Sequence, residues 1–191
     1  MKSFRLLVLL FTLAVSQSAT AKDIRETFEQ LRSSGENYEI VGVVCEQVAR
    51  LELAETYPAP QFEIITGIEY GDKSRIIGEL DVVVFNNVDH KAVVVAEVKC
   101  WENAPSGARK AMEQRTRFRR VAESHQSVAM KTHNDTYDVR QFWGPIKYMA
   151  ISYLGTLKAG YDFDLEYTLE ELLQLRKELI SCQNAGKCKR F

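Results

Sequence analysis

The chain has 191 residues with 25 basic and 26 acidic side chains, which gives a formal net charge of −1 at pH 7. A single domain of this length buries roughly 70% of the surface of its unfolded chain, so it can hold a substantial core. Because the net charge is slightly negative, the composition excludes a general electrostatic attraction to nucleic acid, and any such binding requires a local cluster of basic residues.

The first 21 residues have the features of a secretory signal peptide. Lys2 and Arg5 precede an apolar run from Leu6 to Val15, and small residues end the segment at Ala19-Thr20-Ala21. The apolar run is shorter than the ~18 residues that a membrane-spanning helix needs, which disfavours a retained anchor. We expect cleavage after residue 21, a secreted or periplasmic location without membrane attachment, and a single mature domain over residues 22–191 with a net charge of about −3.

All four cysteines, Cys45, Cys100, Cys182 and Cys188, lie in the mature part of the chain. An exported chain meets an oxidising compartment, so disulfides are expected, and four cysteines allow three pairings. Pairing of Cys182 with Cys188 would close a short loop and leave Cys45 to meet Cys100, whereas the other two pairings would attach the C-terminal tail to the core. A zinc site is the competing interpretation, but no CxxC or clustered Cys/His spacing supports it.

Two helices are predicted at the start of the mature domain, over Lys22 to Arg32 and Tyr38 to Thr56. Apolar residues recur there at helical spacing, and Pro58 ends the second helix. Glu46 interrupts the apolar face of that second helix. The ordinary explanation for Glu46 is that its side chain reaches solvent at the edge of the helix. The alternative is that Glu46 forms a site together with the acids of the following strands.

A strand over Gln61 to Tyr70 precedes the most informative stretch, Ile77 to Trp101, which contains two apolar runs rich in Val and Ile. Asp81 lies in the first run, and Glu97 and Lys99 lie in the second. Strand side chains alternate between faces, so Glu97 and Lys99 share one face. Burying an unpaired carboxylate is costly, and these acids therefore require a cation, a hydrogen-bond network or an opening to water. The three strands together predict an antiparallel meander.

The register of the second hairpin decides whether the two acids meet. A three-residue connection, Val88-Asp89-His90, would pair Asn87 with Lys91 and set Asp81 directly opposite Glu97, with Cβ atoms roughly 5 Å apart. A connection of even length would shift the pairing by one residue and send the two acids to opposite faces. We therefore predict the odd-length turn.

A helix from about Ala108 to Ala129 follows, and it gives an acidic protein a local positive surface. Its six bases are Arg109, Lys110, Arg115, Arg117, Arg119 and Arg120. Such a cluster suits a phosphate backbone, and the nucleic-acid contacts that we expect are Arg109, Lys110, Arg115 and Arg119. The bases are spread round more than one side of the helix, so a solvated face is the alternative for some of them.

The rest of the chain predicts a polar loop over Lys131 to Pro145, a strand over Ile146 to Tyr153 and a weaker strand over Tyr161 to Tyr167. A capping box at Thr168 to Glu171 opens a last helix that ends near Ile180. The whole order predicts an α/β fold with a central mixed β-sheet, including the antiparallel three-stranded meander, flanked by helices.

A Glu on a helix, an Asp on one strand, Glu-x-Lys on the next strand and a further helix resemble the PD-(D/E)XK nuclease superfamily, from about Tyr38 to Tyr153. The matching residues are Glu46, Asp81, Glu97, Lys99 and Gln114. Two details depart from the superfamily pattern: Leu80 rather than Pro precedes Asp81, and Phe118 stands where some members have Tyr. The resemblance implies a restriction-endonuclease-like core.

The resemblance also implies an exported, metal-dependent nuclease that hydrolyses phosphodiester bonds, with DNA favoured over RNA. Asp81 and Glu97 would hold Mg²⁺ or Mn²⁺, because hard carboxylate oxygens suit these ions, and Glu46 would complete the outer shell of the ion or help to hold a second one. Lys99 would orient the attacking water and offset charge on the phosphate, and Gln114 would hydrogen-bond that water or support Lys99. Two alternatives remain: a non-catalytic module on the same fold that binds nucleic acid or an acidic partner through the basic helix, and an exported structural protein whose acids only form ion pairs.

Overall fold

Helices cover both faces of an open, mixed β-sheet in this α/β protein. The structure is a computed structural model that describes residues 23–72, 74–124 and 126–190, so the expected signal peptide lies outside the described residues. The helices are α1 (Ile24–Leu31), α2 (Val43–Thr56), α3 (Ala104–Glu123) and α4 (Leu169–Asn184). The strands are β1 (Phe62–Gly71), β2 (Ile76–Asn86), β3 (Lys91–Val98), β4 (Ala129–Lys131), β5 (Thr136–Tyr137), β6 (Lys147–Ser152) and β7 (Phe163–Asp164).

The sheet joins seven of the described strands in the order β5-β4-β1-β2-β3-β6-β7. Strands β1, β2 and β3 are antiparallel neighbours, β4 and β5 extend the sheet beyond β1, and β6 and β7 run parallel to β3. The expected mixed sheet is confirmed. The expected three-stranded meander is present only as part of a larger sheet, because short strands far along the chain pair with both of its outer members.

Several element boundaries differ from the predicted ones. Helix α2 begins at Val43 rather than Tyr38, because Gly42 has φ of +106°, a conformation that an α-helix does not accept. Helix α3 begins earlier than predicted, since the side chain of Asn103 accepts a hydrogen bond from Ser106 N and caps the helix. Its predicted end at Ala129 is wrong, since Ala129 pairs with β1 instead.

Smaller corrections concern the second half of the chain. The segment predicted as a loop contains β5 and a 3₁₀ turn at Val139–Phe142. The weak strand predicted over Tyr161 to Tyr167 is reduced to the two residues of β7. The capping box is confirmed, with Thr168 and Glu171 each bonding the other's backbone N–H, and α4 follows it.

Two apolar layers pack on the sheet, one on each face. Val82, Val84 and Val94 belong to the layer beneath α1, α2 and α4, whereas Val83 and Val95 belong to the layer that includes Phe118 of α3. Central strands buried on both faces are apolar at nearly every position, which explains the continuous Val-rich runs of β2 and β3. A carboxylate within such strands is therefore an exception that needs a structural reason.

Two disulfides join Cys45 to Cys100 and Cys182 to Cys188. This is one of the three pairings that the sequence left open. Disulfides persist in oxidising compartments, so the two bonds indicate an extracellular or periplasmic location. In the described part of the chain, no helix combines the length and the apolar character needed to cross a membrane.

Candidate active site

The connection between β2 and β3 has an even number of residues, contrary to the predicted three-residue turn. Asn86 pairs with Lys91, so residues 87–90 form the connection. An even connection alone would have set Asp81 against Ala96 and separated the two acids.

A β-bulge at Val93 restores the register that the odd turn was expected to give. It adds one residue to β3 between its pairs with Phe85 and Val84, and from there position 82 pairs with position 96. The next position along the strands sets Asp81 opposite Glu97. The predicted turn is thus wrong, but the juxtaposition of the two acids is present.

Strands β2 and β3 separate at this point. Their ladder ends one pair before Asp81, and Asp81 Oδ2 instead accepts a hydrogen bond of 2.7 Å from Val98 N. The next backbone N–H, that of Lys99, donates to Ile151 O on β6 at 3.0 Å. The end of β3 therefore separates from β2 while it keeps its pairing with β6, and the Asp81 side chain replaces the next backbone contact between β2 and β3.

A glycine on the neighbouring strand accompanies this break. Gly67 of β1 has φ of +70° and lies opposite Asp81 in the β1–β2 register, a backbone conformation that favours glycine. On either side of Asp81, Leu80 packs in the layer beneath α3 and Val82 in the layer beneath α2, although residues two apart normally share a face. The regular alternation of side chains is therefore interrupted at Asp81.

Lys99 holds the two opposed acids together. Its Nζ lies 2.5 Å from Asp81 Oδ2, 3.4 Å from Glu97 Oε2 and 3.0 Å from Val98 O. The three charged side chains are almost fully buried, with exposed fractions of 11% for Lys99, 8% for Asp81 and 0% for Glu97. Glu97 Oε1 is buried and accepts no hydrogen bond from the described residues. One cation thus faces two buried carboxylates, one of which keeps an unpartnered oxygen.

The pKa values reflect the burial of these acids and, after it, their mutual repulsion. Burial, and then the charge of Asp81, raise the pKa of Glu97 to about 8, although Lys99 and Arg117 act in the opposite direction. Burial, Asp81 and then Glu79 raise the pKa of Glu46 to about 8. Glu46, on α2, therefore lies close enough to Asp81 and Glu79 of β2 for their charges to raise its pKa.

Lys99 stays charged in this environment. Burial alone would lower the pKa of its ammonium, but the charges of Asp81 and Glu97 and the hydrogen bonds to them outweigh burial and raise it. A general base would need a lowered pKa. Lys99 is therefore suited to hold a negative or polar group rather than to accept a proton.

Glu79 is a member of the acidic cluster that the sequence did not single out. It stands two residues before Asp81 on β2, and burial followed by repulsion from Asp81 raises its pKa. A Cβ built on Gly67 would lie 3.2 Å from Glu79 Oε1, so the glycine also leaves room for this carboxylate. The only sequence signal for it was its spacing of two from Asp81, which is too common to be informative.

The backbone carbonyl of Lys99 is held by two residues that follow it by more than 50 positions in the chain. Ser152 Oγ donates to Lys99 O at 2.7 Å, and Tyr161 OH donates to the same oxygen at 3.4 Å. Gly107 of α3 allows this, because a Cβ there would lie 2.3 Å from Tyr161 Oη. None of these contacts had a local sequence signal.

Gln114 and the predicted phosphate-binding bases lie on α3. Gln114 Oε1 is buried without a hydrogen-bond partner, and no hydrogen bond joins it to Lys99 within the described part of the chain. The expected nucleic-acid contacts each have a neighbour: Arg109 with Ser106, Lys110 with Glu113, Arg115 with Asp162, and Arg119 with Glu123. Their role in binding stays a prediction.

The donor set fits a divalent cation that is only partly coordinated by protein. Among the described residues, no three His, Cys, Asp or Glu side chains are grouped so that they could hold a metal ion. Mg²⁺ commonly uses one or two carboxylates and takes its other ligands from water and substrate phosphate. Asp81 and Glu97, with the unpartnered Glu97 Oε1, match that requirement.

The fold and the site define an α/β protein with an open mixed sheet and a buried acidic cluster around one lysine, at the point where two central strands separate. Comparison of the chain with family models, with curated proteins and with solved structures gives no significant match. The function must therefore follow from the chemistry of the site.

Proposed function

We propose that the protein is an exported, metal-dependent nuclease with a restriction-endonuclease-like core of the PD-(D/E)XK type, which hydrolyses phosphodiester bonds. One observation carries the proposal: Lys99 Nζ lies 2.5 Å from Asp81 and 3.4 Å from Glu97, while Glu97 Oε1 is buried without a partner. A structural ion pair needs one carboxylate, and a second buried carboxylate with an unpartnered oxygen costs stability. A cation-binding role gives a reason for that cost.

Asp81 and Glu97 would hold Mg²⁺ or Mn²⁺, with Glu46 in the outer shell of the ion, and the ion would neutralise charge on the phosphate and lower the pKa of a bound water. Lys99 provides a fixed positive charge beside the scissile phosphate. An ammonium has three donors, and Lys99 uses them on Asp81, Glu97 and Val98 O. The contact with Glu97 is the longest, so it is the one that Lys99 exchanges for a phosphate oxygen or for the attacking water.

The surroundings of Lys99 support this role. Ser152 and Tyr161 hold its carbonyl oxygen, and Ile151 holds its N–H. A side chain whose backbone is fixed on both sides keeps its position when one of its own contacts is exchanged, and such preorganisation favours catalysis. The two disulfides support export. The preference for DNA over RNA rests on the superfamily resemblance.

The test is cleavage of plasmid DNA, single-stranded DNA and RNA by the mature protein with Mg²⁺ or Mn²⁺. We expect cleavage that a chelator abolishes and that is lost in Asp81→Asn, Glu97→Gln and Lys99→Met. The matched control is Glu39→Gln, which removes an exposed carboxylate. The proposal is overturned if the wild type cleaves none of the three substrates. It is also overturned if Asp81→Asn and Lys99→Met cleave as well as the wild type does.

A second measurement does not depend on activity. A ligand that binds only the folded state raises its stability, so saturating Mn²⁺ should raise the melting temperature of the wild type. The rise should be absent in Glu97→Gln and retained in Glu39→Gln. An equal rise in all three proteins would mean that the ion binds elsewhere.

A further inference from the structure

The six basic side chains of α3 are not equivalent. Three of them, Lys110, Arg115 and Arg119, make an ion pair, whereas Arg109 only donates a hydrogen bond to the neutral Ser106 Oγ. Arg117 and Arg120 make no ion pair with any described residue, and Arg120 makes no side-chain hydrogen bond to them either. Arg109, Arg117 and Arg120 are therefore the bases of α3 that pair with no carboxylate of the described residues, and the last two lie three positions apart on the helix.

The side chains of Arg117 and Arg120 line the same surface groove. The groove has a volume of about 570 Å³ and is lined by Met112, Glu113, Thr116, Arg117, Arg120 and Val121. These positions are three and four residues apart, which places them on one face of the helix. Two like charges at that spacing disfavour the helix slightly unless an anion lies between them.

Arg117 connects this groove to the acidic site. Its Nε donates to Tyr70 OH at 3.3 Å, and Tyr70 lies against Gly78 of β2, where a Cβ would be 2.6 Å from Tyr70 Oη. Gly78 stands three residues before Asp81, which corresponds to about 10 Å along a strand. Arg117 therefore connects the part of α3 that lines the groove with the strands next to Asp81.

We propose that this groove receives the sugar–phosphate backbone of the nucleic-acid substrate, with Arg117 and Arg120 contacting phosphates that neighbour the scissile one. The inference rests on the proposed nuclease function and assigns its substrate path. The planar guanidinium group matches phosphate oxygens in two-pronged contacts. The one acid of the lining, Glu113, already faces Lys110 at 4.0 Å. Met112 and Val121 provide apolar surface for the sugars.

Binding measured without metal tests the proposal independently of cleavage. A short fluorescein-labelled DNA, single-stranded or duplex, is titrated with protein in the presence of chelator at several salt concentrations, and fluorescence anisotropy is read. Arg117→Gln and Arg120→Gln should each weaken binding by roughly tenfold at low salt and reduce the slope of log affinity against log salt by about one unit. Lys177→Gln, which removes an exposed charge on α4, is the matched control and should bind as the wild type does.

The possible results separate the inference from the proposed function. Weaker binding by the Arg117 and Arg120 variants, with no cleavage by the wild type, would support the groove and refute the nuclease. Cleavage by the wild type together with unchanged binding by both variants would overturn the groove. A loss found instead in Arg119→Gln or Arg109→Gln would also overturn it.

Two further arms complete the design. Arg120→Gln decides the result if Arg117→Gln unfolds, because Arg120 has no side-chain partner to lose among the described residues. Polyglutamate serves as a competitor of equal charge. Competition as strong as that of unlabelled DNA would assign the groove to acidic peptides and overturn the proposal.

Discussion

The disulfide between Cys45 and Cys100 joins the residue before Glu46 to the residue after Lys99, with Cα atoms 6.5 Å apart. It therefore ties α2 to the end of β3 beside the acidic cluster. On the other side of Lys99, Ser152 Oγ holds the Lys99 carbonyl oxygen at 2.7 Å. The helix and the strand that carry the candidate residues are thus connected where the pairing of β2 with β3 has ended.

Loss of this disulfide should destabilise the fold more than loss of the bond between Cys182 and Cys188. The first pair is separated by 55 positions and the second by 6, and the chain-entropy relation gives about 4 and about 2 kcal/mol for such loops. We expect the larger fall in the free energy of unfolding for Cys45→Ser/Cys100→Ser, with Cys182→Ser/Cys188→Ser as the comparison. Urea denaturation measures both, and equal losses would contradict the expectation.

Glu46 makes the stability of the metal-free protein depend on pH. Burial, followed by repulsion from Asp81 and Glu79, raises its pKa from 4.5 to about 8 on folding. A proton is then bound more tightly in the folded state, so the stabilisation is complete below about pH 4 and is lost as the pH rises towards 8. We expect the free energy of unfolding to fall by a few kcal/mol over that range in the presence of chelator.

Glu46→Gln removes this titrating group and should give a flatter pH profile, with higher stability than the wild type at the alkaline end. Some slope should remain, because Glu97 also has a pKa of about 8. Glu39→Gln, an exposed substitution, should follow the wild type. Urea denaturation at several pH values tests this, and a wild-type slope in Glu46→Gln would show that Glu46 titrates in the same way folded and unfolded.

The sequence was sufficient to predict that Asp81 and Glu97 lie opposite each other on neighbouring strands. It was not sufficient to predict which local feature of the hairpin gives that register. Residue counting along a hairpin shows that one extra residue is needed to bring the two acids together. It does not show whether that residue lies in the turn or in the ladder, because both shift the pairing equally. The structure places it in the ladder, as the bulge at Val93.

Contacts between distant elements were beyond prediction for a related reason. Periodicity indicates which face of a strand or helix is buried, but not which element covers that face. Ser152 and Tyr161 reach Lys99 from beyond residue 150, and Arg117 rather than its neighbours reaches Tyr70. The basic helix was recognisable from composition, whereas the pairing of its individual bases depends on acids brought there by the fold.

Arg115 should contribute to stability. Its side chain is only 19% exposed, and its Nη1 lies 2.5 Å from Asp162 Oδ2, which also accepts a 2.7 Å hydrogen bond from Ala150 N. Arg115→Ala removes a charge-assisted hydrogen bond between α3 and the β6–β7 edge, and we expect a loss of roughly 1–2 kcal/mol. Lys110→Ala, which loses an exposed contact of 4.0 Å, should cost less than about 0.5 kcal/mol. Equal costs in urea denaturation would contradict this role.

Gly107 lies where α3 crosses Tyr161 and Lys99. A Cβ there would stand 2.3 Å from Tyr161 Oη and 3.4 Å from Lys99 Cβ. Gly107→Ala must therefore displace the tyrosine, and such overpacking costs about 1–3 kcal/mol. Alanine is favoured over glycine inside a helix by about 1 kcal/mol, so the net loss should be smaller than the overpacking cost. Urea denaturation measures that loss.

A second substitution identifies the atom responsible. Tyr161→Phe removes the hydroxyl group that the new methyl group would meet, together with the 3.4 Å hydrogen bond to Lys99 O, and alone it should cost about 1 kcal/mol. Gly107→Ala/Tyr161→Phe should then be more stable than the sum of the two single losses implies, and the four proteins form a double-mutant cycle. Additive losses would mean that the methyl group is accommodated without moving Tyr161, because coupling arises only if the methyl and hydroxyl groups compete for the same space.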